Sequence, residues 1–561
     1  MTVVTATILS GGAKLDKPYE VIKVETSKQV GRIPHASLEL RDGDVAQGKF
    51  ALSDAAFFEP GKKLEIKLRY EGKSDTTVFK GVVVRHGVQA SEAGSTLRVE
   101  LKDEAVKLTQ VRKSTVFRDQ TDGDVIQKLL QDGGLQVGTV DSTQPKHAEL
   151  VQYHATDWDF ILARADVQGL LVCANDGAVS AKKMEIRGRG SQTFRYGMDE
   201  VYALDLEIDG LSQYSKIKSV GWDIGDQAPT SAEQAQETSL SQGNLDGGRI
   251  ADDLGLPTAT LSQLTPLPSA ELKRWANARL ARSRLALIRG TITVRGQADI
   301  KPLDLVDLQR MGQRFNGTAL VTGVEHEVGA QNWKTTLTLG LDPAWFSHEE
   351  DVTAVPAAGL LPAVTGLQVG IVDEFEEDPK EELRVKVIVP AVHESEGAVW
   401  ARLATPDAGN ERGYYFRPEK DDEVVVGFFN DDPRQAVILG ALFSSKNAQP
   451  EYVGDPDKDN LKKAIVTKKG TIIGFKDDDN PSVFIETPDE NKILLSDDDE
   501  CIKLTDQHGN SITLDKDGIT IKSVKDLEIS VDGKLKIKAS SDIKIASDSK
   551  VEIEAPKTDV M

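Results

Sequence analysis

Few residues in this sequence have the types and spacing that catalysis or metal binding requires. Gly72-Lys-Ser74 ends like a phosphate-binding loop, but Lys67 stands where such a loop needs its first glycine. His147 and His154 are the nearest histidine pair, and their separation of seven residues is not a metal-ligand spacing. His326 lies in a predicted strand, where we interpret it as structural. The sequence contains neither a G-x-S-x-G nor a G-x-G-x-x-G motif.

Carboxylates are abundant but are placed where turns are expected. The runs 477–479 and 497–500 are acidic loops of an acidic chain, and we interpret them as solvated turns rather than acid–base pairs. Cys173 and Cys501 are too few for a disulfide framework or a zinc site. Asn316-Gly-Thr318 matches a glycosylation sequon and equally a plain turn. We therefore predict a protein that is not an enzyme and has no metal or cofactor.

Length and charge narrow the class of protein further. The chain has 561 residues, and at about 150 residues per domain this predicts three to four units. Its net charge of −22 argues against a nucleic-acid partner and against electrostatic attachment to anionic lipid. No apolar run approaches the length of about 18 residues that a membrane span needs. The first residues lack the basic region of a signal peptide, so we expect assembly in the cytoplasm.

The strongest pattern lies in the last hundred residues, where groups of apolar residues begin every eight positions. Within each group they alternate with Glu, Ser or Lys, which is the period of a half-buried strand. A similar pattern with looser spacing runs through 465–521. We call 527–555 the octad segment, and its apolar positions are Leu527, Ile529, Val531, Leu535, Ile537, Ala539, Ile543 and Ile545, followed by Val551, Ile553 and Ala555.

An isolated ribbon of short strands needs a second surface to cover its apolar face. One solution is a solenoid of a single chain, but solenoids need about three repeats, and the octad segment is too short for three coils. The other is a prism of identical chains, most simply three, that share one interior. We favour this intertwined homotrimer over the solenoid, with a spike over 460–556 and a tail over 557–561. The last group, from Val551, has no following repeat to cover it and is the expected site for a capping partner.

The remainder of the chain is rich in predicted strands. Residues 1–110 indicate a barrel or sandwich, and two short helices follow, one after Asp122 and one near Thr156. A further helix begins at Pro268. The polar segment 226–266 is predicted to be a flexible insertion. Short strands over 367–445 fit a small OB-fold barrel.

Three segments resemble one family. The run from Arg412 to Gly440, with the segments 152–160 and 321–326, is similar to the spike proteins of the VgrG family. These proteins belong to type VI secretion systems and phage-tail-like contractile injection systems. The resemblance covers nearly the whole chain, and its segments occur in the same order as in the family.

This resemblance implies a specific architecture and function. The fold class is mainly β: a hub over 1–350 with two β-barrel-like domains and a few helices, the OB-fold barrel, and a C-terminal triple-stranded β-helix. The hub of the homotrimer would cap a hexameric inner tube and meet baseplate proteins. A PAAR-repeat tip protein would bind at Val551, Ile553 and Ala555, and contraction would drive the tip of the particle through the target envelope.

Other interpretations stay open at this point. The sequence from Asn430 to Lys446 resembles the spike proteins of extracellular contractile injection particles more closely than the VgrG proteins of type VI secretion systems. We expect no room for a C-terminal effector domain, so any effector cargo would be a separate protein. The alternatives to a structural spike are an envelope-degrading hydrolase module of such a spike and a secreted trimeric β-helical adhesin.

Overall fold

The computed structural model describes residues 3–15, 18–44, 46–92, 94–186, 188–236, 242–263, 265–329, 332–348, 352–390, 398–455, 458–554 and 556–557. The chain divides into two compact units, residues 1–358 and residues 359–561. Among the described residues, no helix has the length and hydropathy needed to cross a membrane.

The described residues of the first unit form strands, four α-helices and a few single-turn 3-10 helices. Its strands are β1 Val4–Ser10, β2 Ala13–Lys14, β3 Val21–Gln29, β4 His35–Arg41, β5 Lys63–Tyr70, β6 Thr76–Ser91, β7 Gly94–Lys102, β8 Arg112–Thr121, β9 Gln136–Val140, β10 Lys146–Thr156, β11 Leu170–Asn175, β12 Ala178–Lys183, β13 Gln192–Arg195, β14 Val201–Ile208, β15 Ile217–Val220, β16 Trp222–Asp223, β17 Ala228–Pro229, β18 Glu233–Gln234, β19 Ala259–Ser262, β20 Ile288–Arg295, β21 Leu305–Gln309, β22 Gly317–Gly329 and β23 Asn332–Leu339. Its helices are α1 Asp122–Asp132, α2 Asp157–Gln168, α3 Gly247–Asp253 and α4 Ser269–Leu285.

One sheet joins the early and late strands of this unit. Its main path runs β14-β20-β23-β22-β3-β4-β7-β6-β5-β1-β2, and β21 and β13 attach through β22. The link is the antiparallel pairing of β22 with β3, in which Val328 lies opposite Val24. The sequence predicts two β-barrel-like domains in the hub. The structure has two separate apolar cores, one around Ile66 and one around Val321, but a single sheet carries both.

The two short helices form where the sequence places them. Thr121 caps α1 by accepting a hydrogen bond from the backbone N–H of Asp124, and Thr156 caps α2 in the same way through Asp159. Gly169 ends α2 with φ of 68°, a left-handed conformation that glycine adopts without a Cβ clash. Both helices contribute to a third core of the unit.

The segment 226–266 differs from the flexible insertion that its polar composition predicts. Its described residues include α3 and the short strands β17, β18 and β19. Strands β18 and β19 pair on either side of β15. Ile217 of β15 is buried against Ala276 and Leu280 of α4. Apolar residues of the polar segment, Ala259 and Leu261 among them, pack against this cluster and so hold the segment to its neighbours.

The second unit begins with a closed barrel, as predicted. Its strands are β24 Gln368–Val372, β25 Val385–Ile388, β26 Ala398–Leu403, β27 Ala408–Gly409, β28 Arg412–Gly413, β29 Glu423–Phe428 and β30 Ala436–Ala441. The barrel runs β24-β25-β26-β30-β29 and closes between β29 and β24, whereas β27 and β28 form a separate hairpin. Alternating valines of β25 and β29 fill its interior.

Seven short antiparallel strands follow the barrel. They are β31 Lys462–Val466, β32 Ile472–Lys476, β33 Ser482–Glu486, β34 Lys492–Ser496, β35 Cys501–Thr505, β36 Ser511–Asp515 and β37 Gly518–Lys522, and we call them the meander. The described residues after Lys522 contain neither helix nor strand, which differs from the strands predicted for the octad segment. A strand requires a neighbour for its backbone N–H and C=O groups, and in the part of the chain that the structure describes no strand pairs with this segment.

Candidate functional site

The register of the meander aligns its apolar residues into two rows. Because partners on neighbouring strands lie opposite each other and residues two apart share a face, both rows lie on the same side of the sheet. We call this side the apolar face. One row is Ile465, Ile473, Ile485, Ile493, Leu504, Ile512 and Ile521; the other is Phe475, Val483, Leu495, Ile502, Leu514 and Ile519.

The apolar face is not covered by the chain that carries it. Ile485 and Ile493 lie in the middle of the sheet and are still 44% and 42% exposed. An apolar surface of this extent on a sheet indicates a site of association. Covering the exposed part of one such side chain contributes roughly 1 kcal/mol, and with more than ten such residues the face as a whole has a strong tendency to bind a second apolar surface.

Polar turns hold the meander in register. In one turn Asp506 accepts hydrogen bonds from the backbone N–H groups of His508 at 3.0 Å and Asn510 at 2.8 Å. The side-chain amide of Asn510 is the main cause that lowers the pKa of Asp506, with these backbone groups adding to it. The acidic runs also lie at turns, where Asp477 pairs with Lys463 at 2.5 Å and Asp478 pairs with Lys476.

The opposite side of the meander has an aromatic contact that the sequence does not single out. The ring of Phe484 lies across Gly474, its partner on the next strand. Tyr452, from the segment before β31, meets Phe484 edge to face with ring centroids 5.1 Å apart. Its hydroxyl donates to the carbonyl of Phe475 at 3.1 Å. This side of the first strands is therefore already covered by the chain, and the apolar face remains available.

The apolar residues of the octad segment are exposed as well. Ala539 is exposed, and the larger apolar residues range from 48% exposure at Val531 to 71% at Ile553. The structure does not bring Leu527, Ile529, Leu535, Ile537, Ile543, Ile545 and Val551 together in a core of the single chain. Ala555 lies outside the described residues.

Asp122 and His147 of the first unit belong to a buried network of ion pairs. Asp122 is fully buried at the start of α1 and receives Arg164 Nε at 2.6 Å and His147 Nε2 at 3.1 Å. Arg164 also donates to Glu271 of α4 at 2.8 Å. Burial acts to raise the pKa of Asp122, but the bonds from His147 and Arg164 outweigh it and hold that pKa below its usual value. The described residues contain no group of three or more His, Cys, Asp or Glu side chains able to hold a metal ion.

His326 is also structural, in agreement with the interpretation from sequence. It is buried in β22 with Nδ1 3.0 Å from Thr335 Oγ1 and beside the ring of Trp333. Burial lowers its pKa to about 3. A histidine that stays neutral in this environment packs the core instead of acting in proton transfer at neutral pH.

Three family models match the chain. Residues 1–330 match the Alg8 N-terminal domain. Residues 368–443 match the type VI secretion system/phage-baseplate injector OB domain, which coincides with the closed barrel. Residues 482–560 match the phage baseplate V C-terminal trimerisation domain, which includes most of the meander and the octad segment.

Solved structures of phage-tail and secretion proteins are also similar. The tail protein from Neisseria meningitidis MC58 has 15% identity and a TM-score of 0.45, covering 61% of this chain and 98% of that one. The E. coli c3393 protein, a type VI secretion component, has 14% identity and a TM-score of 0.38, covering 78% and 99%. The half-lidded Francisella PdpA-VgrG complex has 9% identity and a TM-score of 0.39, covering 93% and 88%.

The family models, rather than these distant structures, decide the assignment. The first model alone spans residues 1–330 of the 561 residues. The other two assign a spike-type OB barrel and a trimerisation domain in the same order along the chain. The chain therefore belongs to the Alg8 N-terminal domain family, and its OB and trimerisation domains make it a VgrG-like spike protein.

Proposed function

We propose that three copies of this chain form the spike at the tip of a contractile, phage-tail-like injection machine. The observation that carries the proposal is the apolar face of the meander, which is left exposed, together with the exposed apolar residues of the octad segment. Three such surfaces cover one another when they wrap around a common axis. The match of 482–560 to a trimerisation domain supports the same stoichiometry.

In this trimer the octad residues Leu527, Ile529, Val531, Leu535, Ile537, Ala539, Ile543 and Ile545 form the interior of a triple-stranded β-helix. Each strand gains backbone partners on neighbouring chains, so the segment acquires the hydrogen bonds that the single chain cannot supply. Entwined chains cannot open locally without losing these bonds, which makes the shaft kinetically stable. A kinetically stable shaft is suited to puncturing an envelope.

The two ends of the spike have different partners in this proposal. The hub, 1–350, caps a hexameric inner tube and contacts baseplate proteins. The last octad group binds a PAAR-type tip protein through Val551, Ile553 and Ala555. The run from Asn430 to Lys446 favours an extracellular particle over a type VI system.

The mass of the purified protein tests the proposal directly. One chain is 61.0 kDa, so a homotrimer is three times that mass, about 183 kDa. Light scattering coupled to gel filtration should give the trimer value. A well-folded single copy would rule out the shared interior and with it the spike. Clearance of cell-wall substrate in a zymogram would instead support the hydrolase alternative.

A further inference from the structure

The closed barrel of the second unit carries a segment that takes no part in the barrel itself. We call residues 404–422, between β26 and β29, the arm. Its hairpin of β27 and β28 forms a sheet separate from the barrel. Arg412 Nη1 donates to Asp407 at 2.6 Å, and Thr405 Oγ1 donates to the carbonyl of Tyr414 at 2.7 Å. The arm is therefore ordered by bonds among its own residues.

Three consecutive aromatic side chains of the arm are exposed. Tyr414, Tyr415 and Phe416 each have more than half of their surface in solvent. Aromatic side chains provide large apolar area and are enriched at protein interfaces. Because three of them stand together on a segment that the barrel does not need, we infer that the arm contacts another surface.

The outer side of the barrel is apolar, as its inner side is. A strand with one face in water normally alternates apolar and polar residues, whereas β29 and β30 are apolar at nearly every position. Inward side chains such as Val426 fill the core. On the outer side, a Cβ at Gly427 would touch the side chains of Leu367 and Leu439, so these two converge over that glycine. We call this surface the outer patch, and its residues are Leu367, Val369, Val425, Val437 and Leu439.

The outer patch is left open by the described residues. Leu367 is 66% exposed, Leu439 is 50% exposed and Val369 is 49% exposed. Strands that are apolar on both faces are typical of sheets that are covered on both sides. The outer patch therefore needs a cover from outside the single chain.

Three-fold symmetry requires two different surfaces on each copy. A two-fold contact uses the same patch twice, whereas a ring of three joins one surface to a different surface of the next copy. The arm and the outer patch are two such surfaces on one barrel. In the proposed homotrimer, the trimerisation domain matched over 482–560 follows the barrel matched over 368–443, so three barrels are tethered near one axis.

We propose that the aromatic arm of each barrel binds the outer patch of the barrel in the next copy, so that three barrels form a closed ring. This inference rests on the proposed homotrimer and adds an interface that is separate from the octad segment. Tyrosine rings supply large contact area at a low cost in side-chain entropy. The five residues of the outer patch carry no charge that binding would have to remove from water.

Cross-linking of the full chain tests this contact. Tyr415→Cys and Leu439→Cys are combined with Cys501→Ser, which removes the half-exposed native thiol and leaves only the buried Cys173. A short bismaleimide linker is used, since a disulfide demands a narrower geometry. The linker should join position 415 of one chain to position 439 of the next and give a covalent trimer on a denaturing gel.

The controls place the thiols where the ring predicts no contact. Each single-cysteine variant, at 415 or at 439, should give no covalent trimer. Leu211→Cys combined with Leu439→Cys should also give none, because Leu211 is an exposed residue of the hub. A covalent trimer in these controls as abundant as in the test variant would overturn the proposal.

The remaining outcomes are distinguished by mass. A single-chain band for the test variant would overturn the contact between barrels, and so would a ladder longer than three chains, which would arise from contacts between trimers. Light scattering on the unaltered protein separates this failure from failure of the proposed function. A trimeric mass without a covalent trimer removes only the ring of barrels, whereas a single-copy mass removes the spike and the ring together.

A second measurement is independent of the linker. Tyr415→Ser and Leu439→Ser should each lower the midpoint of thermal unfolding. The double variant should lose no more than the larger single loss, because both changes remove the same contact. Leu211→Ser is the control and should leave the midpoint unchanged. Losses that add fully would mean that the two residues contact different surfaces, which would contradict the proposal.

Discussion

The ring of Phe484 lies across Gly474 on the adjacent strand of the meander, so a Cβ at position 474 would overlap that ring. Tyr452 packs against the same ring from outside the sheet, and Lys492 Nζ lies 4.6 Å from its centroid. These contacts hold the half-buried ring over Gly474. Glycine is therefore required at position 474 by close approach rather than by its backbone conformation.

Replacing Gly474 with Ala should destabilise the start of the meander. Overpacking of this kind costs about 1–3 kcal/mol, which a thermal unfolding scan detects as a lower midpoint. Gly440→Ala is the matched control, because a Cβ at that position has no atom within 4 Å. Equal midpoints for the two variants would show that the Phe484 ring can move aside.

Ile537→Asp should abolish the trimer. In the proposed shaft it places three carboxylates around one axis, where burial of unpaired charge is costly. Lys536→Asp, one residue away and on the outer side, should remain trimeric. Light scattering compares the two masses, and an intact trimer for Ile537→Asp would refute the interior position of that residue.

Removing residues 551–561 should leave the trimer intact and eliminate binding of a PAAR-type tip protein. The truncation deletes the apolar group at Val551, Ile553 and Ala555 and leaves the preceding octads in place. Pull-down with a PAAR-type protein measures the loss. The double change of Glu552 and Glu554 to Gln keeps the apolar group and should retain binding. Capture of the tip protein by the truncated chain would place its binding site elsewhere.

The stability of the hub should fall as the pH is lowered from about 6.5 to about 3, in part because of His326. Burial lowers the pKa of His326 to about 3, whereas the unfolded chain takes up this proton near pH 6.5. The unfolded state therefore binds more protons across this window, and stability decreases by up to about 1.4 kcal/mol per pH unit.

A His326→Gln variant should unfold with a weaker pH dependence over the same window, as followed by denaturant titration. His35 is exposed, and His35→Gln provides the control, which should keep the pH dependence of the unaltered protein. Parallel pH profiles for all three proteins would mean that His326 is protonated without loss of the fold.

Arg164→Met should destabilise the hub by about 3–5 kcal/mol, because it leaves Asp122 and Glu271 buried without their cationic partner. Arg118→Met removes an exposed pair with Glu149 and should cost no more than about 1 kcal/mol. Chemical denaturation of the two variants gives the comparison. A similar loss of unfolding free energy in the two variants would indicate that His147 alone balances the negative charge of Asp122.

Local patterns in the sequence were sufficient for several parts of the fold. Thr121 and Thr156 are capping residues followed three positions later by Asp, so the starts of α1 and α2 are encoded within one helical turn. The alternating valines of β25 and β29 are enough to indicate a small barrel. Each of these signals acts over a few neighbouring residues, which is why it can be read without the structure.

Contacts between distant residues were not predictable in this way. The pairing of β3 with β22 joins residues about 300 positions apart, and no local pattern records it. Likewise, Arg164 donates a hydrogen bond to Glu271, which lies 107 positions further along the chain. The burial of Ile217 in β15 also depends on residues of the distant helix α4. The contact of Phe484 with Gly474 depends on register, which is set by the turns between strands.

By itself, the sequence determined that the C-terminal residues form an apolar surface with a two-residue alternation, because that period is a property of neighbouring positions. Only the tertiary structure decided that the residues from Ile465 to Ile521 align into two rows on one face while the opposite side is closed by Tyr452 and Phe484. The physical reason is that alignment depends on hydrogen bonds between strands, whose register is fixed only when the turns and the aromatic contacts are in place.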